Sequence, residues 1–144
     1  MTLVARIGWC ASLGLVVTLA IAPATADVVA VVSSTSTVTT LSKAQVADIF
    51  LGKVNRFPNG TPAIAIDHAE GSPARDEFYA TFAGKSPAQI KSHWAKIIFT
   101  GRGQPPKAVS NDDEIKKLTA ANPQAISYLE RSAVDSSVKV LLQP

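Results

Sequence analysis

The stretch DHAEGSPARDEF, residues 67–78, holds the residues whose types and spacing favour binding chemistry. Ser72 and Pro73 are typical of the first positions of an α-helix, and Arg75 then falls at the third helical position. A helix N-terminus carries unpaired N–H groups and a partial positive charge, so it repels a cation and attracts an anion. Two interpretations of Arg75 follow: a surface residue neutralised by the carboxylates after it, or a guanidinium that helps to bind an anion.

Other predicted helix starts in the chain allow a direct comparison with this one. The starts at 42–45 and 86–89 have serine at the cap and glutamine at the third helical position, which completes a capping box. A further helix is predicted to begin after Ser110 or Asn111, with carboxylates in its first turn. Among these four starts, only the one with Arg75 has a cation at the third position.

The residues just before the Ser72 helix add to the anion hypothesis. Gly71 would let the backbone approach a ligand closely, and His68 could donate a hydrogen bond to the same anion. The segment also follows a predicted strand at 63–67, so it would lie at the carboxyl end of a strand, where open α/β sheets bind ligands.

Metal binding and catalysis receive little support from the sequence. His68, Glu70 and His93 are a conceivable metal or acid–base set, but their spacing matches no zinc pattern and no cysteine accompanies them. There is no G-x-S-x-G segment and no P-loop. We therefore expect no cofactor, no metal and no catalytic residue, and expect that the protein is not an enzyme.

Length and charge indicate one small, mildly basic domain. The chain has 144 residues and a net charge of +3, and its lysines are scattered rather than clustered. Few aromatic residues are present to stack on bases, so we expect no nucleic-acid partner.

The first 26 residues are typical of a secretory signal. Arg6 supplies the positive start, an apolar run covers 9–22, and Ala24-Thr25-Ala26 is a small-residue cleavage site. The single cysteine, Cys10, lies inside this segment. We therefore expect a cleaved signal peptide at 1–26, a cysteine-free domain at 27–144 and a periplasmic location.

Strand and helix patterns alternate along residues 27–144, which predicts an α/β layer. Buried strands are predicted at 27–32, 63–67 and 125–129, with a further one at 138–142. Four helices are predicted between them, and the Gly/Pro-rich segment 100–107 is predicted to be a loop. The aromatic residues of 73–83 and Trp94 are assigned to the core.

Three segments resemble the phosphate ABC transporter substrate-binding proteins: ADIFLGKVNRF, AIAIDHAEGSPARDEFYATF and ANPQAISYL. In that family a segment of the type IFLGKxxxW precedes a strand, which leads into R-S-D-G-S-G-T at a helix start. The resemblance implies one lobe of a type 2 periplasmic binding protein-like fold, a small sheet flanked by about four helices. It covers only one lobe, because members of the family are roughly twice as long.

The resemblance also implies which residues would bind the ligand. Ser72 matches the family's ligand-binding serine, and Gly71 matches the glycine before it. His68 stands where the family has an arginine that contacts phosphate, and Ala74 stands where it has a threonine. Arg75, one position further on, would replace the missing guanidinium from a different backbone position.

The resemblance implies an exported solute-binding protein that binds a small oxyanion, in the first place phosphate, as part of ABC-type uptake. Its partners would be phosphate, an ABC permease or another periplasmic protein, and a second copy of the chain. The alternative is a non-catalytic periplasmic interaction module that retains the fold without binding a ligand.

Overall fold

The structure, a computed structural model, describes residues 27–141. The predicted export signal at 1–26 lies outside the described residues. The helices are α1 (Lys43–Phe50), α2 (Pro73–Ala83), α3 (Pro87–Phe99) and α4 (Asp112–Ala121), and the strands are β1 (Val28–Ser33), β2 (Ile64–His68), β3 (Lys107–Val109), β4 (Ala125–Glu130) and β5 (Val138–Val140). Within this part of the chain no helix is long and apolar enough to cross a membrane.

The five strands form one mixed sheet in the order β3-β2-β4-β1-β5. Strand β2 runs parallel to both β3 and β4, whereas β1 runs antiparallel to β4 and β5. The predicted α/β class with four helices is confirmed.

The prediction of a loop through residue 107 was wrong at its end, because the three-residue edge strand β3 begins there. Two of its three residues are exposed, so no hydrophobic run marks it, and pairing with β2 holds it in place.

Helices cover both faces of the sheet, because the side chains of β1 alternate between two cores. Val28, Ala30 and Val32 belong to a cluster shared with α1, α2 and α3, while Val29 and Val31 belong to a second cluster with α4. Successive side chains of a strand point to opposite faces, so a continuous apolar run is what a strand buried on both sides requires. The result is a three-layer arrangement with the sheet in the middle.

The larger core is built on aromatic rings. Phe78 of α2 stacks on Tyr128 of β4 with ring centroids 3.9 Å apart, and Phe50 of α1 meets Phe78 edge-on at 4.7 Å. Phe82 stacks on the other side of Phe78 at 4.7 Å. The assignment of the 73–83 aromatics to the core is confirmed, and these contacts fix α2 against the sheet.

Helix α3 packs on α2 and on the end of α1 rather than on the sheet. Trp94 is buried as predicted, and its ring closes on Gly52, which follows α1. Ile98, four positions after Trp94 on this helix, is 47% exposed. Because no strand lies under α3, its last turn has no partner surface for Ile98.

Candidate functional site

The turn between β2 and α2 lies at the carboxyl end of a central strand, as the sequence predicted. Gly71 has φ +88°, a conformation that side-chain-bearing residues rarely adopt, and no atom lies within 4 Å of where its Cβ would be. The Ser72 N–H donates to the Ala69 carbonyl oxygen at 3.1 Å. The turn is therefore tight, and it is open to a ligand on the Gly71 side.

Ser72 differs from the serines that begin α1 and α3. The Ser42 and Ser86 hydroxyls accept hydrogen bonds from the N–H groups of Gln45 and Gln89, and the glutamine side chains accept from the serine N–H groups in return. Ser72 has the same extended backbone, with φ −68° and ψ 129°, but its side chain caps nothing. Ser72 therefore begins α2 as predicted, but without a capping hydrogen bond from its side chain.

Arg75 explains why no capping box forms here, because it stands where the other two helices have glutamine. An arginine has no acceptor to offer the serine N–H, so no reciprocal box can form. Among the described residues, the structure shows no hydrogen-bond partner for the backbone N–H groups of Ala74 and Arg75. The start of α2 therefore keeps two N–H donors and one hydroxyl for another molecule. The Ala74 side chain is buried in the core, so its backbone N–H is the only part of the residue available to a ligand.

The Arg75 side chain turns back into the protein. Its Nε lies 3.5 Å from Oδ2 of Asp67, and its guanidinium carbon lies 5.2 Å from the centre of the Tyr79 ring. The exposed fractions of the two charged side chains are 13% for Arg75 and 5% for Asp67. The interpretation of Arg75 as a surface residue neutralised by the carboxylates after it is therefore wrong, because the main counter-charge is the buried Asp67.

Asp67 is the residue that sequence analysis missed. Its carboxylate accepts hydrogen bonds from the Tyr79 hydroxyl at 2.7 Å, from the Tyr128 hydroxyl, and from the His68 backbone N–H at 2.8 Å. Burial first, and then the negative charge of Asp67, raise the pKa of both tyrosines well above the ordinary value of 10. Both hydroxyls therefore stay protonated and donate to the carboxylate. The signal was present, since an aspartate ending a buried strand requires donors in the core.

His68 is held by the protein through both ring nitrogens. Nε2 lies 2.8 Å from the Tyr128 carbonyl oxygen, which can only accept, so Nε2 carries the proton. Nδ1 lies 3.4 Å from Oδ1 of Asp112 at the start of α4, and the ring stacks on Tyr128 at 4.5 Å. A hydrogen bond from His68 to an anion stays a prediction, and it would require the Asp112 contact to open.

The remaining candidates lie apart from this turn. The Glu70 carboxylate meets Lys91 on the surface at 3.5 Å, and His93 donates to the Leu51 carbonyl oxygen at 2.8 Å. Across residues 27–141, no group of three His, Cys, Asp or Glu side chains is placed to hold a metal ion.

Comparison with solved structures identifies the fold. A protein described as a phosphate ABC transporter substrate-binding protein from Clostridium perfringens, with bound phosphate, matches with a TM-score of 0.64 and 22% identity. An ABC-type phosphate transport receptor from Vibrio cholerae matches at 0.63 and 19%. The chain has the fold of a phosphate-type substrate-binding protein. A protein described as a phosphate-binding protein from Planctomyces limnophilus matches at 0.61 and 14%.

These matches cover 80–82% of this chain but only 41–45% of the other chains. This chain therefore spans under half the length of the substrate-binding proteins it matches. No protein-family model matches the sequence, and no curated protein matches it by sequence. The resemblance found in the sequence is thus confirmed in its fold, and the neighbours are binding and transport proteins.

Proposed function

We propose that the chain is an exported solute-binding protein that holds a small oxyanion, in the first place phosphate, at the start of α2. The observation that carries the proposal is the unused donor set there. The Ser72 hydroxyl and the N–H groups of Ala74 and Arg75 have no protein partner among the described residues, while the equivalent serines of α1 and α3 are closed by capping boxes.

The geometry of the turn supports an anion at this place. Two N–H groups and a hydroxyl at one helix start offer three hydrogen-bond donors, and the helix dipole favours a negative ligand there. Gly71 adds no side chain that would block the approach. The charge of Arg75 is largely balanced by Asp67, so the backbone donors and Ser72, rather than a free guanidinium, would supply most of the binding.

Phosphate is the first ligand to test because of the structural neighbours. The Clostridium perfringens protein was solved with phosphate bound, and the others are described as phosphate receptors or phosphate-binding proteins. Non-covalent binding without catalysis, a periplasmic location after removal of residues 1–26, and delivery to an ABC permease belong to the same proposal. A second copy of the chain, packed against the ligand from the other side, belongs to the same proposal.

Isothermal titration with phosphate and with sulfate tests the proposal on matched serine variants. We expect saturable heat with phosphate for the unchanged protein. Ser72→Ala removes a donor to a charged ligand and should weaken binding about tenfold. Ser86→Ala removes a cap of the same sequence type and should leave binding unchanged while it lowers stability by about 1 kcal/mol.

Arg75→Ala is a less selective variant than Ser72→Ala. It leaves the buried Asp67 without its counter-charge, so it should lower stability as well as affinity. No heat with either anion, or equal affinity for the Ser72→Ala and Ser86→Ala variants, would overturn the proposal. That result would favour the alternative function, an interaction module that retains the fold without a ligand.

A further inference from the structure

The surface at the end of α3 combines exposed apolar residues with an unbalanced positive charge. Phe99, the last residue of α3, is 92% exposed, and the neighbouring Ile98 is 47% exposed. An aromatic side chain this exposed contributes nothing to the core. Exposed apolar residues that lie together commonly mark a surface that contacts a partner.

The segment that contains this surface carries charged residues of one sign. Residues 85–111 contain no aspartate or glutamate, and they carry five basic residues: Lys85, Lys91, Lys96, Arg102 and Lys107. Lys91 is balanced by Glu70 from outside the segment, but Lys96 and Arg102 form no ion pair with any described residue. The segment 85–111 therefore has a net positive charge, and its two cations without an ion-pair partner, Lys96 and Arg102, each lie three positions from Phe99 in the sequence.

A surface cavity adjoins this helix end. It measures about 390 Å³ and is lined by His93, Lys96, Ile97, Thr100 and Arg102. The His93 Nε2 and the Thr100 hydroxyl already donate to backbone carbonyl groups, which leaves the charged ends of Lys96 and Arg102 as the donors available to a ligand. Two cations without a carboxylate favour an anionic group such as a phosphate ester.

We propose that the end of α3 docks on the surface of an anionic phospholipid bilayer. Lys96 and Arg102 contact the headgroup phosphates, and Phe99 with Ile98 enters the boundary between headgroups and acyl chains. A bilayer offers these two environments at successive depths, which matches cations beside a projecting aromatic residue. An acidic protein face would meet the cations but would leave Phe99 against charged groups. This inference does not depend on the oxyanion site at the start of α2.

The test places an environment-sensitive fluorophore on this surface. It is attached to a cysteine introduced by Phe99→Cys in a Cys10→Ser background, with Val54→Cys as the matched control, since Val54 is 44% exposed elsewhere. The full chain is mixed with vesicles of phosphatidylglycerol and phosphatidylcholine, and with vesicles of phosphatidylcholine alone. The label at position 54 shows any shift that arises only because residues 1–26 bind the vesicle, so the comparison of the two positions isolates the end of α3.

We expect a blue shift of the label at position 99 on the anionic vesicles only, a weaker shift at higher salt, and no shift at position 54. Lys96→Glu combined with Arg102→Glu should weaken the partitioning of position 99 at least about tenfold. Lys53→Glu combined with Lys117→Glu changes the net charge equally and should leave it unchanged. Equal shifts at the two label positions would overturn the proposal. So would a shift at position 99 that is the same on neutral vesicles, or the same in the Lys96→Glu, Arg102→Glu variant. So would an unshifted label at position 99 on the anionic vesicles.

Discussion

At the scale of single residues, Asp67 organises the candidate site without being exposed to a ligand. Its carboxylate joins β2 to α2 through Tyr79 and Arg75, and to β4 through Tyr128. These three side chains and the His68 backbone N–H meet at one buried carboxylate, so each depends on the others. The position of Arg75, and with it the open start of α2, follows from this buried charge.

Asp67→Asn should therefore lower the free energy of unfolding by about 3 kcal/mol, because it leaves Arg75 largely buried without a counter-charge. Urea denaturation followed by circular dichroism measures this change. Asp48→Asn is the matched control: it removes an exposed ion pair with Lys53 at 3.8 Å and should cost less than about 1 kcal/mol. Equal losses in the two variants would contradict the role given to Asp67.

At the scale of elements, the residue types explain which helices and strands were predictable. Strand β1 and helix α2 were found because long apolar runs and aromatic spacing mark them in the sequence itself. Strand β3 was missed because its short, exposed segment becomes a strand only by pairing with β2. The serine caps of α1 and α3 were predicted correctly from Gln45 and Gln89. The ion pair between Arg75 and Asp67 was not predicted, because Asp67 lies eight positions earlier and the β2–α2 turn is what brings the two side chains together.

The packing of α3 on the end of α1 depends on Gly52. Its φ is +73°, and a Cβ there would lie 2.8 Å from Cη2 of Trp94. Gly52→Ala should therefore lower the free energy of unfolding by about 3 kcal/mol, combining backbone strain with overpacking. Gly60→Ala shares the positive φ, at +86°, but meets no atom within 4 Å, so it should cost about 1 kcal/mol. Thermal unfolding of both variants measures the difference, and a smaller loss for Gly52→Ala than for Gly60→Ala would contradict this packing.

The connection after β4 is tied to α4 by Asp135. Hydrogen bonds from the Ser137 hydroxyl, the Ser137 N–H and Lys116 lower the pKa of Asp135 from 3.8 to about 2. Because the folded pKa is the lower one, this contribution to stability is present above pH 3.8 and is lost as the pH falls towards 2. Asp135→Asn should therefore lower the melting temperature slightly at pH 7, and the two proteins should converge near pH 2. A difference that persists at pH 2 would contradict this assignment.

At the scale of the whole molecule, the chain is one lobe with its own two-sided core. Clusters on both faces of the sheet share β1 and β4, so the lobe does not need a second domain to bury its strands. Its structural neighbours are more than twice as long as the matched region. The central question is therefore whether one lobe, with the donors at the start of α2, is enough to hold an oxyanion.

Phosphate titration of the ¹⁵N-labelled protein, followed by two-dimensional ¹H–¹⁵N NMR, answers this question most directly. The amide signals of Ala74 and Arg75 at the open start of α2 should shift and saturate with phosphate. Those of Ala88 and Gln89, at the same positions of the capped α3, should stay in place. Shifts of equal size at both helix starts, or no shift at Ala74 and Arg75, would contradict the proposal that this lobe binds an oxyanion there.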